Sequence, residues 1–350
     1  MKYKLLGKSG LRVSEICLGT MTFGEEWGTM GANKESSKKI FDIFVNAGGN
    51  FIDTANRYTE GSSEKFVGEF IHSDRANFVV ATKYTLFEPE RKYDINSSGN
   101  HRKNMVQSLE NSLRRLKTEY IDLYWVHCWD KLTPEEEVMR ALDDMVRAGK
   151  ILYIGISDTP AWIISRANTI AELRGWTQFI ALQIEYSLIQ RTPERDLIPM
   201  ANYLDLAITP WATIGGGALT GKYLSKKDKE PARLTEKSVR LNQRNMKIAR
   251  EVVNVAEELG VKPSQIAINW VRQQKGNFIP IVGARTPEQL NENLGCLNFK
   301  IPESLIQRLN AVSSIEYGFP HDFLNGEVVQ DLAYSGQKNK IIDYRGKTNF

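Results

Sequence analysis

The chain has 350 residues, 41% hydrophobic and 25% charged, a balance that suits a folded protein with a large core and excludes a chain disordered as a whole. Its net charge of +4 is small, and basic residues are interleaved with acids (KKDKEPAR, RKYDIN), so neither nucleic acid nor a membrane is an expected partner. Cys17, Cys128 and Cys296 are too few and too scattered for a disulfide framework or a zinc site, no run reaches the ~18 apolar residues of a membrane span, and the N-terminus lacks a signal-peptide core, so a cytoplasmic setting is expected.

Taken in chain order, eight short apolar runs rich in β-branched or aromatic residues read as strands: 15–19, 50–54, 77–83, 121–127, 151–157, 179–185, 205–211 and 278–283. Helical periods lie between them. In NKESSKKIFDIFVNAGG, Asn33 is a candidate N-cap, Ile40, Phe41, Phe44 and Val45 form the apolar face, and Gly48-Gly49 is the stop. In HRKNMVQSLENSLRRL the face is Met105, Leu109, Leu113 and Leu116. Parallel neighbours need a crossover long enough for a helix, so repeated strand–helix alternation predicts a (β/α)₈ TIM barrel. A doubly wound sheet is the alternative, but it would usually carry G-x-G-x-x-G after its first strand, where this chain has GTMTFGEEW. One domain is predicted over 1–313, with an insertion at about 212–240 and an irregular tail over 314–350.

In such a barrel the C-terminal strand ends share one mouth, which is where chemistry gathers. In order, the mouth would receive Asp53 and Tyr58, Lys83, His127, Ser157 and Asp158, Gln183 and Glu185, Trp211, and Arg285. Each has an ordinary reading as well. Asp53 suits a turn, Tyr58 a core edge, Lys83 a snorkelling lysine and His127 a satisfied core histidine. Together they describe proton transfer. A phenol of ordinary pKa ~10 is a poor acid or base at neutral pH, and the Lys83 ammonium beside Tyr58 is expected to lower that value. Asp53 would keep Lys83 charged, while neutral His127 would donate a hydrogen bond to a carbonyl oxygen.

Reduction also needs a hydride source. In VGARTPEQLNENL (282–294), Thr286 and Gln289 make a capping box and Pro287 suits the first helical turn, whose free N–H groups with Arg285 form an anion site. Gln183 is placed to hydrogen-bond a nicotinamide carboxamide and Trp211 to stack on its ring.

These residues resemble the aldo-keto reductase superfamily, through GTMTFG (19–24), FIDTANRYTEGSSEKFVGEFI (51–71), ATK (81–83), SLRRLKTEYIDLYWVH (112–127), GKILYIGISD (149–158), LQIEYSLI (182–189), TPW…GGGALTGKY (209–223) and IVGARTPEQLNENL (281–294). SGNHRKNMVQSLENSLRRLKTEYIDLYWVHCWD with GISDTPAW is most similar to the aryl-alcohol dehydrogenase-like branch. The resemblance implies metal-free, NADPH-dependent reduction of aldehydes or ketones, with Tyr58 as acid/base, Lys83 and Asp53 as its modulators, and His127 orienting substrate. It implies cofactor contacts from Gly19, Thr20, Met21 and Asp53, with Ser157, Asp158 and Gln183 at the nicotinamide. Trp211, Ala212, Thr213, Ile214, Gly216, Gly217, Lys222 and Arg233 would cover the phosphates, and Gly283, Arg285, Gln289, Glu292 and Asn293 the adenosine end. Asp158 replaces the Asn of many relatives, and Thr213 a usual Pro.

Phe23, Trp27, Phe87, Trp125 and Trp129, with Tyr58 and His127, are the expected pocket wall, which favours apolar or aryl carbonyl substrates. Three other readings compete. The superfamily's potassium-channel β-subunits suggest a regulatory binding subunit, which an intact tetrad disfavours. A glycosidase would need two carboxylates flanking one bond, and Lys83 better explains Asp53 than Glu185 does. A metal-dependent hydrolase fits poorly with four histidines and no H-x-H or H-E-x-x-H.

Overall fold

The structure is a computed structural model and describes residues 1–224, 234–235 and 238–342. A short antiparallel hairpin comes first, formed by β1 (Tyr3–Leu5) and β2 (Arg12–Ser14). Eight strands follow, β3 (Cys17–Gly19), β4 (Phe51–Asp53), β5 (Val79–Tyr84), β6 (Ile121–Val126), β7 (Ile151–Ser157), β8 (Ala181–Glu185), β9 (Ala207–Trp211) and β10 (Ile281–Gly283). Each lies within, or one residue beyond, an expected run. All their pairings are parallel, in the order β10-β3-β4-β5-β6-β7-β8-β9. The remaining seam, between β9 and β10, is bridged at Ile208 and Phe278, with Ile208 N–H donating to Asn277 O and Ile279 N–H to Ile208 O, both at 2.8 Å. The strands thus form a (β/α)₈ barrel.

The period-two alternation of each strand sorts its side chains between two cores. Leu18, Ile52, Val80, Tyr124 and Ile154 face outward into the layer shared with the helices. Cys17, Phe51, Val79, Ala81, Leu123, Trp125, Ala181 and Ala207 fill the barrel interior. Leu6 and Val13 of the hairpin join that interior cluster, so β1 and β2 plug the N-terminal end of the barrel. Gly7 is needed there: its φ is +57°, and a Cβ would stand 2.1 Å from Ile180 O.

The helices obey the local signals. Asn33 caps the helix Lys34–Asn46 by accepting from Ser36 N, and Ile40, Phe41 and Phe44 are buried, with Val45 partly so. Gly48 follows in a left-handed conformation, φ +87°. Met105, Leu109, Leu113 and Leu116 are buried on Arg102–Leu116. Two features depart from the sequence reading. The hairpin is too short to show a period, and the tail expected to be irregular holds two short helices, His321–Asn325 and Glu327–Ala333, neither with a buried residue.

Candidate active site

Alternation inside the barrel decides what reaches the mouth. Because Phe51 and Ala81 point inward, Asp53 and Lys83, each two residues further on, do too. Lys83 is fully buried, where an ammonium persists only with partners. Its Nζ donates to Asp53 Oδ2 at 2.5 Å, to Thr54 O at 2.8 Å and to Tyr58 OH at 3.0 Å. Burial works against its charge, yet Asp53 and Tyr58 outweigh that and leave its pKa raised. The other carboxylate oxygen of Asp53 accepts from Gln183 Nε2 at 3.0 Å. His127, just past β6, lies edge-on to Tyr58 with ring centroids 5.9 Å apart. Burial first, and then the Lys83 charge, push His127 down to about 3, so the imidazole is neutral at physiological pH.

Tyr58 corrects one expectation. Burial raises the phenol above its ordinary value, and the opposing pull of Lys83 does not overcome it. The free protein therefore holds Tyr58 as a neutral phenol, the proton-donating form.

Around these four residues, Ser157 ends β7 with its Oγ buried and without a hydrogen-bond partner. Trp211 ends β9, and its indole N–H donates to Asp158 Oδ1 at 3.2 Å. Asp158 is exposed at the rim as a residue, yet enough protein crowds its carboxyl to push it up to about 6, against the pull of Trp211 and Lys83. After β9, Ala212, Gly215, Gly216 and Gly217 all have positive φ, which curls the chain at the mouth. Thr213 is buried, Ile214 and Lys222 are partly so, and a Cβ on Gly217 would come within 3.5 Å of Lys222 Nζ. Arg240 pairs with Glu185 at 2.6 Å. Arg233 lies outside the described residues.

At the end of β10, Gly283 is exposed and pairs with Gly19. Thr286 caps the helix Pro287–Leu294, accepting from Gln289 N, while Gln289 Oε1 reaches back to Arg285 N at 3.0 Å. The Arg285 guanidinium donates to Thr29 O at 3.0 Å.

Several of the expected contact residues also have partners or burial within the protein. Thr20 is buried, its hydroxyl bonded to Asp53 O and Ser63 Oγ, whereas Met21 is half-buried. Gln183 donates one of its two amide N–H groups to Asp53 at 3.0 Å. Glu292 accepts from Ser264 Oγ at 2.9 Å, and Asn293 is buried.

The aromatic wall divides. Phe23 does not face the mouth; it is fully buried in the outer core, edge-on to Phe70, because its strand-end loop turns it under the helix Ser62–Ile71. Trp125 is fully buried inside the barrel, over Gly155, where a Cβ would meet its ring at 2.4 Å. Trp27 stays near Tyr58, edge-on with centroids 6.4 Å apart, and Phe87 and Trp129 are half-buried. Sequence reasoning missed Arg57 and Glu60. They form an ion pair beside Tyr58, with the Arg57 guanidinium 4.8 Å over the Phe87 ring and Glu60 Oε1 accepting from Trp27 Nε1 at 3.1 Å. Opposite charges at i and i+3 around Tyr58 were the available signal. Among the described residues, no three His, Cys, Asp or Glu side chains gather as a metal site.

Residues 15–314 match the model of the aldo/keto reductase family. The chain is 39% identical over 338 residues to an aryl-alcohol dehydrogenase [NADP(+)] of Phanerodontia chrysosporium, covering 89% of this chain and 86% of that one. It is 37% identical over 329 residues to a norsolorinic acid reductase of Aspergillus flavus, covering 91% and 83%. An aryl-alcohol dehydrogenase of Pestalotiopsis microspora is 37% identical over 331 residues, covering 92% and 85%. A barrel whose mouth joins Asp53, Tyr58, Lys83 and His127, matched along nearly its whole length by these relatives, makes this chain a member of the aldo/keto reductase family of oxidoreductases.

Proposed function

We propose that the protein reduces aldehydes or ketones, aryl and other apolar carbonyl compounds among them, with NADPH as cofactor and Tyr58 as proton donor. The observation that carries this reading is the Lys83 ammonium, bonded at once to Asp53 and to the Tyr58 hydroxyl at the barrel mouth. Tyr58 holds its proton at physiological pH and gives it to the carbonyl oxygen as negative charge develops there, while Lys83 stabilises the phenolate left behind. Asp53, fixed by Gln183, keeps Lys83 in place. His127, neutral, has a ring N–H to offer the same oxygen. When bound, the nicotinamide supplies the hydride.

The residues fit such a group. The buried, unpartnered Ser157 Oγ is suited to its carboxamide, Trp211 to its ring, the left-handed run Gly215–Gly217 to its pyrophosphate, and Arg285 with the start of Pro287–Leu294 to a 2′-phosphate. One relative's name carries NADP(+), which supports the same choice. Half-buried Trp27, Phe87 and Trp129 support apolar substrates. Three free cysteines suit a reducing, cytoplasmic setting.

A panel of aliphatic and aryl aldehydes and ketones, assayed with NADPH and with NADH, tests this. Carbonyl-dependent oxidation of NADPH, strongest for aryl aldehydes, is expected. A wild-type protein that oxidises neither cofactor with any member of the panel would sink the reading.

A further inference from the structure

Tyr58 heads a turn, Tyr58–Gly61, whose next three residues all have positive φ: Thr59 at +43°, Glu60 at +54° and Gly61 at +89°. Only glycine adopts that region freely, so two successive residues bearing a Cβ persist there only when their surroundings hold them. Thr59 is held by its buried hydroxyl, which donates to Phe23 O. Glu60 is held by its carboxylate, which joins two groups from different parts of the mouth. Oε2 pairs with Arg57 Nη1, and Oε1 accepts from the indole N–H of Trp27, which arrives on the loop after β3. The pair is largely shielded, with Arg57 and Glu60 side chains 22% and 31% exposed. Both partners touch the walls: Trp27 packs edge-on to Tyr58, and Arg57 lies over Phe87.

We infer that Glu60 is a positioning residue for the proposed reduction, its carboxylate tying Arg57 and Trp27 together so that the left-handed turn carrying Tyr58 and the adjoining pocket wall keep one geometry. This rests on Tyr58 being the proton donor. The carboxylate acts through neighbours and touches no reacting atom. Removing it frees the turn to relax, and a displacement of Tyr58 by about 1 Å is enough to cost up to ~10²-fold in rate.

The test uses the full-length protein and the variants Glu60→Ala and Glu60→Gln. Three quantities are read: kcat and KM for a simple aryl aldehyde, NADPH Kd by quenching of tryptophan fluorescence, and amide hydrogen exchange of peptides spanning 57–63. Glu60→Ala is expected to lower kcat by roughly 10–100-fold with NADPH Kd unchanged, and to speed exchange in that segment alone. Glu60→Gln should fall between, because its amide oxygen still accepts from Trp27 while the ion pair to Arg57 is lost. Local exchange that speeds in a protein whose wild type reduces no carbonyl would remove the Tyr58 donor role and leave the anchoring of the turn standing. Wild-type exchange in Glu60→Ala, or a loss of activity matched by weakened NADPH binding and faster exchange throughout the barrel, would overturn the inference.

Discussion

Tyr58 and Lys83 share one hydrogen bond but play opposite electrical roles: the lysine stays charged because Asp53 and Tyr58 outweigh its burial, and the tyrosine stays neutral because burial outweighs the lysine. Tyr58→Phe keeps the ring and removes only the proton. It is expected to lower kcat for carbonyl reduction by at least ~10²-fold with NADPH affinity unchanged, and near wild-type kcat with chemistry rate-limiting would refute the assignment. His127 has a consequence for stability. Its folded pKa, about 3, lies below the ordinary 6.5, so between those values the unfolded chain binds a proton that the folded one does not, and stability falls as pH falls through that window. From pH 7 to about 4.5 this amounts to roughly 2–3 kcal/mol. Urea unfolding at the two pH values should show His127→Gln losing less than wild type by about that margin, and equal losses would mean that acid acts elsewhere.

Among the elements, the loop after β3 joins parts of the mouth that no single strand connects. Thr22 Oγ1 donates to Ala284 O at 2.7 Å, Arg285 reaches Thr29 O, and Trp27 reaches Glu60. The loop thus spans from the candidate phosphate site to the turn of Tyr58. Arg285 is the guanidinium beside the helix start at Pro287, suited to charge-assisted bonds with a 2′-phosphate that a ribose hydroxyl does not match. Arg285→Ala is expected to weaken NADPH by ~10–100-fold, the equivalent of ~1.5–3 kcal/mol for one charged hydrogen bond, with little change for NADH. Titration of both cofactors decides: equal losses would assign Arg285 to stacking or to loop order instead of phosphate recognition.

Across the whole molecule, the hairpin plug and the proposed site occupy opposite ends of the barrel. The N-terminal end is stoppered by Leu6 and Val13 of the hairpin, packed with Cys17, Phe51 and Ile279, while the tetrad stands at the other end. Leu6→Ala opens a cavity beneath the plug, at a cost of about 2–5 kcal/mol, and is expected to leave kcat unchanged under conditions where the protein is folded. Chemical denaturation with parallel activity assays checks this separation. A fall in kcat without a loss of stability would show that the two ends are coupled.

The sequence by itself determined the eight strands, the helices between them and the four residues at the mouth, because hydrophobic period and strand ends are local properties of the chain. Asp53, Lys83 and His127 are legible as strand-end polar residues following apolar runs, and Tyr58 by its place in the loop that Asp53 opens. Depth, direction and electrical balance were not legible, since they depend on what distant segments press against each side chain. Only the tertiary structure turned Phe23 under the helix Ser62–Ile71, sank Trp125 over Gly155 and gave the Gln183 amide to Asp53. It alone decided the sign of the Tyr58 shift, because the desolvation that defeats Lys83 is the sum of groups from many elements. Glu60 is a mixed case: Arg57 lies only 3 residues away, whereas Trp27, 33 residues away, reaches it because β3 and β4 pair side by side and bring their following loops together.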